Sequence, residues 1–167
     1  MKMSVKKLCF LALMTSLAMV LSYLEMLLPP LWPSIPGIKV GLANIVIILL
    51  LYKFSFKEAA TVSLIRVFFM SFLFGTALKF MIALSGAVLS LLVMTILKKT
   101  NWFSTVGVSI VGGIMHNLGQ IIVAIFLTKT EEIGYYMIAL AVSGTIAGIF
   151  IGLLGAVLLK YFNKLRL

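Results

Sequence analysis

Aspartate is missing from this 167-residue chain, and its acidic side chains number four: Glu25, Glu58, Glu131 and Glu132. They fall in three separate regions, so no clustered carboxylates are at hand to hold Mg²⁺ on a diphosphate. A single histidine and a single cysteine, His116 and Cys9, leave no conventional zinc site and no intrachain disulfide. No glycine-rich loop ends in Lys-Ser or Lys-Thr, as a nucleotide-binding loop would. Catalysis by this chain alone is therefore not expected, and neither is a cofactor. Proline is confined to one stretch, Pro29, Pro30, Pro33 and Pro36. Charged residues make up only 11% of the chain.

What fills the chain instead is apolar. Hydrophobic residues are 63% of it, and the mean hydropathy is +1.23. About 20 apolar residues cross a bilayer once, so an all-α, polytopic membrane protein is expected, a single domain over 1–167. Six segments are read from the apolar runs: 8–28, 40–51, 58–74, 77–97, 104–127 and 135–159. The second is short for a full crossing. The proline-rich loop 29–39, with Trp32, reads as a rigid connection at the membrane edge. The first run is too long for the apolar core of a cleaved leader and reads as a retained span.

The net charge of +10 is not read as a nucleic-acid footprint, because the basic residues sit in small clusters between apolar runs. They set orientation. With the N-terminus in the cytoplasm, ten fall inside: Lys2, Lys6, Lys7, Lys53, Lys57, Lys98, Lys99, Lys160, Lys164 and Arg166. Three fall outside: Lys39, Lys79 and Lys129. Both termini inside requires an even number of spans, in a bacterial cell membrane. Small residues mark expected helix contacts: Gly144, Gly148 and Gly152 on the sixth segment, Ala83, Gly86, Ala87 and Ser90 on the fourth. On the first segment they are Ala12 with Ser16, and Ala18 with Ser22.

Arg66 lies in the middle of the third run, where a charge costs about 2.5–3.5 kcal/mol on insertion scales. Such a residue faces a protein interior or a watery cavity. The other embedded polar residues share its depth or lie further out. His116, Asn117 and Gln120 are on the fifth segment, Asn44 and Lys39 on the second, Lys79 on the fourth and Glu25 on the first. The inner half is almost wholly apolar, so a proton path through the full thickness is not expected. A ligand pocket open to the outside is, with Arg66 and His116 as its floor. Three cations to one carboxylate favour a ligand with a negative group. Each residue also has a plain structural reading: an Arg66–Glu25 ion pair, a hydrogen-bonded His116, interhelical bonds from Asn117 and Gln120, and snorkelling lysines.

The run Pro36-Gly37-Ile38-Lys39-Val40-Gly41-Leu42-Ala43-Asn44 resembles the signature of the Gx transporter family. So do Arg66 with Gly75-Thr76, Ser85-Gly86, and Gly113-Ile114-Met115-His116-Asn117-Leu118-Gly119-Gln120. These membrane proteins are often labelled heptaprenyl diphosphate synthase component I. In layout they look like the substrate-binding S components of energy-coupling factor (ECF) vitamin transporters. That resemblance implies six helices with both termini inside, an outward pocket for a small vitamin- or cofactor-like molecule, and an external energy source. It implies docking on a transmembrane coupling subunit, driven by ATPases, through small residues of the first helix. Ala12 and Ser16 stand at that place, with serine where a second alanine is more usual. The alternative is a non-catalytic membrane scaffold for a prenyl-quinone synthase or a flavin- or quinone-linked redox system.

Overall fold

The apolar runs end where the chain supplies a turn residue or a cluster of charge, and a computed structural model shows six α-helices between those breaks. The structure describes residues 4–29, 40–162 and 164. The helices are α1 (Val5–Leu27), α2 (Asn44–Lys53), α3 (Phe56–Phe74), α4 (Ala77–Thr100), α5 (Thr105–Thr128) and α6 (Met137–Phe162). A 3₁₀ turn, Glu131–Tyr136, leads into α6. Three starts are capped by a hydroxyl, as short polar side chains do at helix N-termini. Ser55 accepts from the Lys57 N–H, Thr76 from that of Lys79 and Ser104 from that of Gly107. Two ends, at Asn101 and Lys129, close in the left-handed conformation.

Four helices are long and apolar enough to cross a bilayer: α1, α4, α5 and α6 together with the 3₁₀ turn before it. The chain is a multi-pass membrane protein. The 19 residues of α3 include Lys57, Glu58 and Arg66, so charge rather than length sets it apart from those four. With 10 residues, α2 is about 15 Å long, half the apolar thickness of a bilayer. It begins at Asn44 rather than at 40, because Gly41 takes a positive φ of 76° and residues 41–43 form a turn. Loop residues Pro30, Trp32, Pro33, Pro36 and Lys39 lie outside the described residues.

Packing follows chain order with one closure. Each of α3, α4 and α5 packs on the next, α2 bridges α6 back to α3, and α1 lies against α3 and α2. Val46 to Leu51 of α2 are all buried, so this short helix is the plug of one half of the bundle. The outer wall is apolar, with Phe72 75%, Ile138 78% and Phe126 80% exposed, a surface suited to lipid rather than water.

One end of the bundle gathers the lysines. Lys7 at the start of α1 pairs with Glu58 at the start of α3, 2.5 Å apart, and Ser55 donates to the same carboxylate. Lys98, near the end of α4, donates to the Leu51 carbonyl at 2.6 Å. Lys53 donates to the Phe162 carbonyl at the end of α6. These lysines meet the C-terminal carbonyls of α2 and α6, where a cation is favoured. The α5–α6 seam is closed by glycine. A Cβ on Gly148 would lie 2.5 Å from Ile110 Cα, and one on Gly152 2.7 Å from Val106 Cα. The expected glycine spacing on the last helix is thus internal packing.

Candidate functional site

Arg66 shares a face of α3 with Ala59, Val62, Ser63 and Val67, all buried. Thr61, Leu64, Ile65, Phe68 and Phe69 form the exposed face. The i, i+3, i+4, i+7 spacing therefore turns Arg66 into the bundle. On α1, Leu11, Met14 and Ala18 are buried, and Ser22 and Glu25 continue that stripe toward α3. Ser22 Oγ accepts from Arg66 Nη1 at 3.5 Å, a long contact. Arg66 Nε is sealed from solvent and has no hydrogen-bond partner.

Glu25 does not form an ion pair with Arg66, since the one ion pair among the described residues is Lys7–Glu58. One Glu25 oxygen is engaged elsewhere, accepting the backbone N–H of Gly41. Glu25 thus ties the strand entering α2 to the end of α1. The same glycine lies against Asn44, whose amide nitrogen would be 3.0 Å from a Cβ at position 41. Arg66, Ser22, Glu25, Gly41 and Asn44 form one polar cluster between α1, α3 and the start of α2.

Helix register puts the remaining candidates in the same layer. Asn44 lies about 13 Å along α2 from Lys53, and Arg66 about 12 Å along α3 from Glu58. The Gly75–Thr76 turn sets Arg66 level with Ser85 on α4. Ser85 donates to the Gly119 carbonyl of α5 at 2.9 Å and to the Ile82 carbonyl at 2.7 Å. Beside it, Gly86 is the seat for His116 and Gln120. A Cβ there would meet Gln120 Cγ and the His116 carbonyl at 2.7 Å, and His116 Cε1 at 3.2 Å. The i, i+4 pair thus shares the α4–α5 seam, as its spacing predicts.

Asn117 turns the other way. Its amide donates to the Leu140 carbonyl of α6 at 2.6 Å and lies over Gly144. It also borders a small apolar cavity of about 150 Å³ with Ile114, Leu118, Ile121, Met137 and Ala141. Lys79 is exposed in the first turn of α4, at the end of the bundle away from the lysine cluster. Lys39 lies outside the described residues. Among the described residues the deep positive charge is Arg66.

On α1 the two small pairs separate. Ala18 is fully buried and Ser22 faces Arg66. Ala12 and Ser16 are exposed, and Ser16 bonds only back to the Ala12 carbonyl at 3.1 Å. Sequence reasoning passed over Ser22 as a site residue. The signal was present: it sits three residues before Glu25, on one helix face.

A family model described as heptaprenyl diphosphate synthase component I matches residues 14–158. No curated protein and no solved structure matches the chain.

Proposed function

The chain belongs to the heptaprenyl diphosphate synthase component I family of membrane proteins, and from that premise we propose that it is a substrate-binding subunit for uptake of a small molecule, resembling the S components of ECF transporters. The observation that carries this reading is Arg66. It is a charged side chain in an apolar helix, turned inward, with one long hydrogen bond and an unpartnered Nε. An intramembrane arginine without an acid partner is the mark of a ligand or ion site rather than of a structural pair.

The lysine-rich end faces the cytoplasm by charge bias. All six helices cross or enter the membrane, with both termini inside. The 10 residues of α2 span about half the apolar thickness of a bilayer, and the ligand site of this reading lies on the outward side of that helix, beside Arg66. Arg66 anchors a negative group there, and His116, Gln120 and Asn44 supply hydrogen bonds. Glu25 holds the segment entering α2, and Lys79 stands at the rim. Catalysis is not part of this role, given the absence of aspartate and of clustered carboxylates.

Uptake against a gradient requires an energy source outside this chain. The exposed Ala12–Ser16 face of α1 is the docking place for a membrane coupling subunit with its ATPases, since small residues let helices approach closely. Mass spectrometry of small molecules retained by the purified full chain tests the reading. Wild type is expected to retain one compound that Arg66→Ala and His116→Ala variants lose while staying folded. Equal retention in both variants removes the site assignment. Retention of nothing, with co-purification of a soluble synthase or redox subunit, supports the scaffold role instead.

A further inference from the structure

The Arg66 guanidinium has two edges. At one, Nη1 reaches Ser22 Oγ at 3.5 Å. The other, Nε with Nη2, makes no hydrogen bond among the described residues, and Nε is closed off from solvent. A buried donor left without an acceptor carries a desolvation penalty, larger on a charged group. The Nε–Nη2 edge presents two parallel N–H bonds, the fork that fits the two oxygens of a planar oxyanion.

Charge selects among oxyanions. The Glu25 carboxylate stays near the site, on the Gly41 N–H and one turn of α1 beyond Ser22. Lys79 is exposed in the first turn of α4, about 9 Å along the bundle from the level of Arg66. A dianion such as a phosphate monoester would set two charges against one guanidinium, with a standing carboxylate nearby. Uncompensated charge in a dry interior is strongly disfavoured. A monoanion adds one charge rather than two beside that carboxylate, and is the less costly occupant.

We propose that the Nε–Nη2 edge of Arg66 is a carboxylate-binding site, and that the molecule bound by this chain is a monocarboxylate. This rests on the substrate-binding reading above and narrows its ligand to one class.

The test heats the purified full chain with a total small-molecule extract of bacterial cells. The same extract is also used after methyl esterification, which neutralises carboxylates, and after phosphatase treatment, which removes phosphate monoesters. The untreated and phosphatase-treated extracts are expected to raise the unfolding midpoint, and the esterified extract to lose that gain. Arg66→Lys keeps the charge but not the fork, and is expected to gain nothing from any extract. Equal stabilisation by the esterified extract, loss of the gain on phosphatase treatment, or a full gain in Arg66→Lys overturns the carboxylate assignment and leaves the substrate-binding reading standing. The esterification arm needs wild type alone, so it decides even where the variant fails to fold. No stabilisation of wild type by any extract overturns both.

Discussion

Replacing Gly86 with alanine separates the packing of the bundle from the binding it supports. The new Cβ would sit 2.7 Å from the His116 carbonyl and from Gln120 Cγ. Ordinary contact begins at 3.4 Å, so α4 and α5 must part by about 0.7 Å (3.4 − 2.7), or the side chains must move. Overpacking of this kind costs about 1–3 kcal/mol, and alanine returns about 0.5–1 kcal/mol in helix propensity. Gly148→Ala is the matched control. Its Cβ meets Ile110 Cα at 2.5 Å and the Ser109 carbonyl at 2.8 Å, on the α5–α6 seam and away from the polar layer. Both variants should unfold at lower temperature in detergent by a similar amount. Only Gly86→Ala displaces His116 and Gln120. Weakening one ligand hydrogen bond by about 1.4 kcal/mol lowers affinity about tenfold. The assay is calorimetric titration of each variant with the compound that wild type retains. Equal affinity in Gly86→Ala and wild type, or an equal loss in Gly148→Ala, would refute the placement of His116 and Gln120 in the site.

Three further outcomes follow from single contacts. Asn117→Ala removes the bond to the Leu140 carbonyl and should destabilise the α5–α6 seam by about 0.6–1.7 kcal/mol, measured by unfolding in detergent, with ligand retention unchanged. The Lys7–Glu58 pair is partly exposed, at 29% and 15%, so a double-mutant cycle should return no more than about 1 kcal/mol; a larger coupling would mean the pair is shielded from solvent. Ala12→Trp alters an exposed position, so it should leave the unfolding midpoint and ligand retention intact while abolishing uptake by whole cells. Uptake that survives this change removes the docking face.

Apolar runs and their breaks made the helices legible, and the cost of a charge at mid-bilayer told which way Arg66 points. Both faces of α3 are apolar, Leu64, Ile65, Phe68 and Phe69 on one and Ala59, Val62 and Val67 on the other, so hydrophobic spacing alone did not choose between them. The capped starts at Ser55, Thr76 and Ser104 were readable from local sequence. What the sequence hid were choices made by tertiary contact. Ala12–Ser16 and Ala18–Ser22 look alike in the sequence, and only packing against α3 buries the second pair and leaves the first exposed. Glu25 reads as a partner for Arg66, yet its oxygen is taken by the Gly41 N–H, a backbone group that carries no side-chain signal. The lysines at 53 and 98 read as topology markers. Their further role, donating to the Phe162 and Leu51 carbonyls, depends on which helix ends meet.

The lone Cys9, exposed on α1, makes accessibility the most direct measurement of the central claim. In a Cys9→Ala background, cysteine is placed at Ser22, beside Arg66, and separately at Ser55, at the lysine-rich end. Intact cells are then exposed to a thiol reagent that cannot cross the membrane. The account predicts that Ser22→Cys is labelled from outside and protected by the retained compound, while Ser55→Cys is labelled only after the cells are opened. A Ser22→Cys protein that stays unlabelled from outside, or that reacts only from the cytoplasmic side, would contradict an outward pocket floored by Arg66.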